Sequence, residues 1–338
     1  MDHKGSRIKQ PTIYDVAVLA GVSKSLVSLV LRGKDGVSEA SKVQVQEAIG
    51  QLGYRPSRFA QQLASNKTRS IGVVITDYKN LSYIGFLQGL REIFDAEGYQ
   101  VFISDLHQSP TFSEGPIDAF ASMKVDGLVV ATEVDGLRVH NLDIPVVTIG
   151  RRETTIEGSD VVFNDDFEGT RLIIEHLFEL GHRQIAHLTG VGGIAKNRKD
   201  AYLKLAKELN FDPMVFGEGQ PTTEIGGYLG TKEMLSSGRK FTAAFAANDY
   251  MAAGAWSALR EENIQVPQHV SLAGYDNTPI ASEFMLKLTT VDEQGVPVGL
   301  ESAKILLERM GRKRGSPPKN VLIKPTLVLR STTAKPAL

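Results

Sequence analysis

Residues 12–32 read TIYDVAVLAGVSKSLVSLVLR and decide the fold of the N-terminal part of the chain. The apolar residues of TIYDVAVLA recur at helical spacing, and Gly21 follows at the point where a helix end favours a positive φ. Ser23 is placed to cap a second helix with an apolar face. Two short helices around a tight turn are typical of the helix-turn-helix unit, whose second helix enters the major groove of DNA. The alternative is an ordinary pair of antiparallel helices in a small bundle.

The composition of the chain indicates an ordinary soluble globular protein. Its 338 residues suit two or three domains, and 42% of them are hydrophobic and 23% charged. No apolar run reaches the length of about 18 residues that a membrane span needs, and the polar start MDHKGSRIKQP lacks the apolar segment of a secretory signal. The absence of cysteine excludes disulfides and thiolate metal sites. We therefore expect a cytoplasmic protein without membrane contact.

Charge is unevenly distributed along the chain. In total 38 Lys or Arg stand against 39 Asp or Glu, but residues 1–69 contain 11 Lys or Arg and only 5 Asp or Glu. The remainder of the chain is therefore acidic. A basic N-terminal segment indicates contact with a polyanion, and the helix-turn-helix pattern in the same segment favours DNA over random scatter of charge.

A third helix and a short helical segment follow the helix-turn-helix. Ser38 can cap a helix that runs to Gly53, where the chain breaks away. Pro56 then suits the first turn of another helix, SRFAQQLASNK. This segment is too short and polar to be stable alone, so we expect a hinge that becomes ordered only against another surface.

From residue 70 onward the pattern changes to alternating strands and helices. IGVVIT is a continuous apolar run, as expected for a buried parallel strand, and LSYIGFLQGLREIFDAEG follows as an amphipathic helix. The same alternation starts again near Ser159 with the strand DVVF. Two such α/β halves predict two doubly wound lobes, with a ligand cleft between them at the carboxyl ends of the strands.

A set of motifs runs along nearly the whole chain. They are TIYDVAVLAGVSKSLVSLVL, VSEASKVQVQEAIGQLGYRPSRFAQQLA, IGVVITD, VDGLVV, NDDFEGTRLIIEHLFELGHRQIAHLTG, RKDAY, AANDYMAAGA, VSLAGYDNTP and PTLVLRST. In this order they resemble the Lac repressor/Gal repressor family of bacterial transcription regulators. The resemblance extends over all parts of the chain, because the motifs of a headpiece, a hinge and two lobes occur together.

The resemblance implies a fold class and a division into domains. We expect an all-α helix-turn-helix DNA-binding headpiece plus hinge helix, joined to an α/β two-lobed periplasmic-binding-protein-like domain that binds an effector and dimerises. The expected bounds are 1–55 for the headpiece, 56–69 for the hinge helix and linker, and 70–334 for the two lobes, of which the first takes about 70–157 plus 291–322 and the second about 158–290 plus 323–334.

For DNA, the resemblance implies a homodimer on a near-palindromic operator, with one recognition helix in each major groove. Lys24, Ser25 and Leu29 match the base-reading positions, where Lys24 can donate to guanine. Leu26 and Leu29 replace polar residues that are usual there, so the operator does not follow from the family. Phosphate contacts are expected from Thr12, Tyr14, Ser23, Ser28, Arg32 and Tyr54, each with an exposed surface role as its alternative, and further DNA contacts from Ser57 and Ala60 in the hinge.

Leu63 matches the family leucine that the hinge helix inserts into the minor groove. An apolar wedge of this kind kinks DNA, and added protein contact offsets the cost. In FAQQLA, Phe59 and Leu63 share one helix face with nothing local to cover it. The alternative is that Leu63 packs under the lobes.

The resemblance also implies an effector site in the cleft. The matching positions are Arg198 in RKDAY, with Asn248 and Asp276 at the ends of two strands, and a guanidinium fork suits carboxylates, phosphates and vicinal hydroxyls. Asn248 precedes a helix and is equally well explained as an N-cap. Weaker candidates are Thr76, Asp77, Asn80 and Tyr83 from the first lobe, while Arg151 and Arg152 would reach a phosphate or only solvent.

We expect the effector to be a sugar, a sugar phosphate or a cyclic polyol, with a nucleoside or purine as the alternative. Its binding would close or twist the lobes and change the operator affinity, with a coupling of about 1–3 kcal/mol. Dimerisation is implied through the helix LSYIGFLQGLREIF and facing second-lobe surfaces. The family also implies a bacterial cytoplasmic protein that is associated with the nucleoid.

An NAD-dependent enzyme is the competing class. Residues 190–195, GVGGIA, follow a predicted strand and nearly match the dinucleotide fingerprint, which needs an acidic residue about 20 positions on. Glu208 is near that distance but falls in a helical run. The histidines share no metal-ligand spacing with carboxylates, and no nucleophile elbow is present. We therefore expect a regulator that is not an enzyme and uses no cofactor or metal.

Overall fold

The structure, a computed structural model, divides the chain into two compact units, Met1–Thr68 and Arg69–Leu338. The residues that it describes are 11–31, 36–54, 68–106, 115–132, 144–150, 156–313 and 315–337. The predicted hinge segment at 56–67 therefore lies outside the described residues, with Ser57, Ala60 and Leu63. Three other residues named from the sequence also lie outside them: Arg32, Arg151 and Arg152.

The described residues of the first unit form three helices around a small apolar core. Gly21 has a φ of 65° in the turn between the first two helices, so the predicted helix-turn-helix is confirmed. The helices are α1 (Ile13–Leu19), α2 (Lys24–Leu31) and α3 (Glu39–Leu52). Their buried core residues are Val16, Ala17, Val27, Val45, Ala48 and Tyr54.

Side-chain caps define where these helices begin. The Thr12 hydroxyl accepts the backbone N–H of Asp15 at 3.4 Å, and the Asp15 carboxylate accepts the backbone N–H of Thr12 at 2.7 Å, which completes a capping box. The hydroxyls of Ser23 and Ser38 each accept a backbone N–H of the following first turn at 3.2 Å. Each cap stabilises its helix by about 0.5–2 kcal/mol.

None of the described helices is long and apolar enough by itself to cross a membrane. Taken together, the helices α1 and α2 have the length and composition of a membrane span, but they are bent by 106° at the turn between them.

The described residues of the second unit form two six-stranded sheets. Sheet 1 consists of β1 (Ser70–Ile75), β2 (Gln100–Asp105), β3 (Gly127–Ala131), β4 (Val146–Ile149), β5 (Asp160–Asn164) and β11 (Asn320–Ile323). Sheet 2 consists of β6 (Ile185–Leu188), β7 (Met214–Phe216), β8 (Ala243–Ala246), β9 (Ser271–Tyr275), β10 (Thr289–Asp292) and β12 (Thr326–Val328). The strand orders are β11-β5-β4-β3-β1-β2 and β12-β10-β9-β8-β6-β7.

All described strand pairs are parallel except β10 with β12, which is antiparallel. Helices connect the strands, so the predicted doubly wound α/β architecture is confirmed. The helices of this unit are α4 (Tyr83–Ala96), α5 (Pro116–Ser122), α6 (Asp166–Glu179), α7 (Gly193–Glu208), α8 (Glu224–Ser236), α9 (Asp249–Glu261), α10 (Pro279–Ser282) and α11 (Gly295–Gly311).

The strand β5 corrects the predicted boundary between the lobes. The sequence assigned residues from 158 onward to the second lobe, but β5 pairs with β4 and β11 and therefore completes sheet 1. Conversely, β10 belongs to sheet 2, although the predicted first lobe resumes at 291. An apolar strand looks the same in either sheet, because partner choice depends on long-range register. The chain thus crosses between the sheets after β5, after β10 and between β11 and β12.

Two glycines let α4 and α11 approach closely in the first lobe. A Cβ on Gly89 would collide with the backbone carbonyl of Val296, and a Cβ on Gly299 would collide with the backbone carbonyl of Phe86. The crossing of these helices therefore requires glycine at both positions. It also fixes the first turn of α11, which leads directly from β10.

We expect Gly89→Ala to destabilise the protein, because the added methyl group meets backbone that cannot move aside. Overpacking of this kind costs about 1–3 kcal/mol, which urea unfolding followed by circular dichroism will detect. Gly311→Ala, at the end of α11 with no atom within 4 Å of the new Cβ, is the matched control and should leave stability nearly unchanged. Equal stability of the two variants would contradict this account of the crossing.

Candidate functional site

The exposed start of α2 carries the first candidate surface. The Lys24 ammonium donates to the Tyr14 hydroxyl at 3.1 Å and lies 4.7 Å from the centre of its ring. Tyr14 is 61% exposed, and Ser23 and Ser25 are exposed beside it. Lys24, a predicted base-reading residue on α2, thus contacts Tyr14, a predicted phosphate contact on α1.

Several other residues named for DNA contact have structural roles. Leu29, a predicted base-reading residue, is half-buried, and Leu26, which replaces a polar residue usual in the family, packs against the core of the first unit. The Tyr54 ring is 9% exposed and belongs to that core, so its main role is packing. Thr12 forms the capping box, which uses its hydroxyl and backbone N–H. The sequence pattern alone does not separate these packing and capping roles from contact with DNA.

The second candidate site is a cavity of about 390 Å³ in the second unit. Its walls come from the carboxyl ends of strands in both sheets, where α/β folds bind ligands. Thr76 follows β1, Asp276 follows β9 and Glu293 follows β10. The other lining residues are Asn80, Ser82, Tyr83, Phe86, Ala131, Ile149, Gly150, Asn164, Val191, Gly192, Gly193, Ile194, Ala195, Arg198, Thr222, Ala247, Asn248, Gly295 and Val298.

Six of the seven residues predicted for effector contact line this cavity, and Asp77 does not. The Asp77 carboxylate instead accepts the backbone N–H of Lys79 at 2.9 Å and closes a turn. The Asn248 side chain caps α9 by accepting the backbone N–H of Met251 at 2.8 Å. Its amide also donates to the Thr222 carbonyl at 3.0 Å, so Asn248 is both an N-cap and part of the cavity wall.

Arg198 is the centre of the polar network in the cavity. Its side chain is 3% exposed. Nη1 donates to Asp276 at 2.8 Å and to the carbonyl of Ala247 at 2.7 Å, Nε to Asp166 at 3.2 Å, and Nη2 to Glu293 at 3.4 Å. A buried guanidinium is expected to have such partners, since an unpaired buried charge is strongly destabilising.

The ring of Tyr275 packs against one face of the guanidinium of Arg198. The guanidinium carbon lies 3.5 Å from the ring centre, a stacked geometry that favours arginine over lysine. A Cβ on Gly169 would collide with the Tyr275 hydroxyl, so a glycine in α6 makes room for this ring. The side chain of Arg198 is therefore fixed before any ligand binds.

Burial raises the pKa of two carboxyl groups that contact Arg198, those of Glu293 and Asp276. Burial, together with the charge of Asp276, raises the pKa of Glu293 to about 8, although Arg198 opposes the shift. The pKa of Asp276 is also raised by burial, against the effect of Arg198. Behind the cavity, burial raises the pKa of Asp249 to about 7, although its carboxylate accepts hydrogen bonds from Thr278 and Thr290.

The two lobes are connected by hydrogen bonds from Tyr250 and Asn164. The Tyr250 hydroxyl, on α9, donates to the Lys79 carbonyl at 2.9 Å and accepts the backbone N–H of Leu81 at 3.2 Å. The Asn164 amide, at the end of β5, donates to the carbonyl of Glu293. The sequence reasoning missed Asn164 and Glu293, although each ends or follows a strand as Asp276 does.

The glycine loop at 190–195 forms part of the cavity wall. Gly192 has a φ of 107° and precedes α7, so glycine is required there by the backbone. Glu208 is the last residue of α7 and does not follow a strand, so it does not complete a dinucleotide fingerprint. Among the described residues, no group of three His, Asp or Glu side chains is arranged to hold a metal ion.

Two family profiles match the chain. Residues 12–57 match the profile described as bacterial regulatory proteins, lacI family. Residues 174–333 match the profile described as a periplasmic binding protein-like domain. These matches cover the helix-turn-helix and most of the second lobe with the C-terminal strands.

Full-length relatives have the same organisation. The HTH-type transcriptional repressor PurR of Actinobacillus pleuropneumoniae serotype 5b is 32% identical over 330 residues, covering 94% of this chain and 97% of the relative. The Lac repressor dimer bound to operator and the anti-inducer ONPF superposes with a TM-score of 0.85 at 28% identity, over 96% of this chain and all of that one. The transcriptional regulator CelR in complex with cellobiose superposes with a TM-score of 0.69 at 25% identity, over 95% of this chain and 99% of that one.

Proposed function

This chain belongs to the lacI family of bacterial regulatory proteins, and we propose that a small polar effector in the cavity of its second unit controls how tightly its first unit binds operator DNA. It is a DNA-binding transcriptional regulator, and its relatives are repressors rather than enzymes, which confirms the non-enzymatic prediction and removes the dehydrogenase alternative. One observation carries the effector half of the proposal: six effector candidates named from sequence line a single cavity between two sheets.

The proposed DNA-binding face is the exposed start of α2. Lys24 and Ser25 are exposed there, and Leu29 is available for contact with a thymine methyl group. The ammonium of Lys24, oriented by Tyr14, suits guanine O6 and N7. For the hinge, whose residues lie outside the described ones, we keep the hypothesis that Leu63 wedges into the minor groove, with Ser57 and Ala60 beside it.

We propose a homodimer on a near-palindromic operator, as in the Lac repressor dimer structure. A twofold protein dimer matches the symmetry of such a site. Apolar residues exposed on the second lobe support the proposal that this surface takes part: Ile225 at 68%, Leu229 at 43%, Phe284 at 83% and Met285 at 73%. The proposed location is the bacterial cytoplasm, on the nucleoid.

A sugar or a related polyol is the effector class that we favour. The cavity combines a fixed guanidinium with carboxylates, an amide and hydroxyls, which is the donor and acceptor set that vicinal hydroxyls need. The complex of CelR with cellobiose supports this class by analogy. A nucleoside or purine is the second candidate for the same cavity.

Lys24→Ala should weaken specific DNA binding by about 10- to 100-fold, since one base contact contributes about 1–3 kcal/mol. The operator is first selected from random DNA with the full-length protein, and affinity is then measured by fluorescence anisotropy. Lys42→Ala is the matched control, because Lys42 is a surface lysine on α3 paired with Glu39 at 2.5 Å. Its effect should stay within about twofold, and an equal loss in both variants would argue against base reading by Lys24.

Asn248→Ser should weaken effector binding by at least about 10-fold and leave the fold intact, since the hydroxyl keeps the N-cap but not the amide contact. The effector is found by a thermal-shift screen of sugars, polyols, sugar phosphates and nucleosides. Asp165→Ser is the control, because it changes the N-cap of α6, and Asp165 does not line this cavity. If both variants bind the effector as the natural protein does, Asn248 is only a cap.

A further inference from the structure

The charges around the cavity do not balance. Among the described lining residues, Arg198 is the only cationic side chain, and Asp276 and Glu293 carry carboxyl groups. Asp166 contacts Arg198 as well, so three carboxyl groups share one guanidinium. Carboxylates in excess of cations at a buried site favour either a proton or a bound cation.

The guanidinium of Arg198 has little capacity left for an anionic ligand. An arginine has five N–H donors, and four of those of Arg198 are used by Asp166, Ala247, Asp276 and Glu293. The bidentate fork that recognises a phosphate or carboxylate is therefore occupied by the protein itself. A sugar phosphate would also add negative charge beside Asp276 and Glu293.

Acceptor capacity, in contrast, is left over. Glu293 receives one long hydrogen bond at 3.4 Å on Oε2, and Oε1 has no hydrogen-bond partner among the described residues. Asp276 uses only Oδ1 in its bond to Arg198. The side chains of Glu293 and Asp276 are 23% and 8% exposed, and both line the cavity. An ionised carboxylate is acceptor-only, so a ligand with N–H donors can pair with these oxygens when the groups are ionised.

We propose that the effector carries a protonated amine, as an amino sugar or amino polyol does, and that Glu293 selects this amine over the corresponding alcohol. This inference rests on the proposed effector site. An ammonium group has three donors, enough to join Glu293 and the free oxygen of Asp276, and it brings the charge closer to balance. Hydroxyls on the rest of the ligand pair with the amide of Asn248 and the remaining N–H of Arg198.

Proton linkage predicts the direction in which the affinity for an amine changes with pH. In the empty cavity the Glu293 pKa is about 8, set by burial and by Asp276, Arg198, Asp166 and Asp292. An ammonium ligand binds the ionised form, so below pH 8 its binding releases a proton and its affinity rises with pH, by up to about 10-fold per unit. A neutral polyol needs no such release.

The experiment compares matched pairs on the full-length protein by calorimetry and thermal shift at pH 6.5, 7.5 and 8.5. The pairs are 1-amino-1-deoxyglucitol with glucitol, glucosamine with glucose, and galactosamine with galactose, and glucose 6-phosphate is the anionic probe. We expect at least one amine to bind about 10-fold or more tightly than its alcohol. The alkyl amine should also bind more tightly as pH rises toward 8, because its own pKa is about 10.

Two variants assign the preference to Glu293. Glu293→Gln should remove both the amine preference and its pH dependence, whereas Glu97→Gln, an exposed glutamate elsewhere in the first lobe, should keep them. Without ligand, Glu293→Gln should be more stable than the natural protein by a margin that grows from pH 5 to pH 8. The margin grows because the pKa of Glu293 is raised in the folded state, so the natural protein loses stability as the pH rises over that range.

The outcomes separate this inference from the proposed function. If the alcohols or glucose 6-phosphate bind and change the operator affinity measured by fluorescence anisotropy while the amines do not, the effector site stands and the amine preference is wrong. If an amine binds with the expected preference but leaves operator affinity unchanged, the cavity is not the control site. If no member of any pair binds, or Glu293→Gln keeps the preference, the inference is overturned.

Discussion

The buried guanidinium of Arg198 is the interaction on which the second unit depends. It joins Asp166 at the start of α6, Asp276 after β9 and Glu293 after β10, and it stacks on Tyr275. Removing it would leave three carboxyl groups in a buried site without their cation, which is far more costly than the loss of one surface contact. Arg198 therefore organises the polar part of the cavity. Because three carboxyl groups share this one cation, the site is short of positive charge.

The position of Glu293 links this charge to movement of the lobes. The chain crosses from sheet 2 to the first-lobe helix α11 directly after β10, and Glu293 lies in that crossover. Its carbonyl accepts the amide of Asn164, which ends β5 at another crossover. A ligand that pairs with Glu293 would therefore bind where the two lobes are joined, which is where a small change in geometry has the largest effect on their relative orientation.

Much of this was predictable from the sequence because local patterns report local structure. Gly21 and Ser23 predicted the turn and the second helix of the helix-turn-helix, and Ser38 predicted the start of α3. The end of strand β9 predicted that Asp276 faces the crevice, and Asp276 lines the cavity. Sheet membership of β5 was not predictable, since its apolar pattern fits either lobe. Asp166 and Glu293, which pair with Arg198, were missed for a related reason: pairing across 32 and 95 positions leaves no periodic trace in the chain.

Coupling between the cavity and the DNA-binding unit must be reciprocal. Coupled sites change each other's affinity by the same factor, typically about 5- to 150-fold. Calorimetric titration of the effector into the full-length protein, with and without saturating operator, measures that factor. We expect the effector Kd to change by this amount and the operator Kd to change by the same factor when the effector is saturating. An effector Kd that is the same with and without operator would contradict the account.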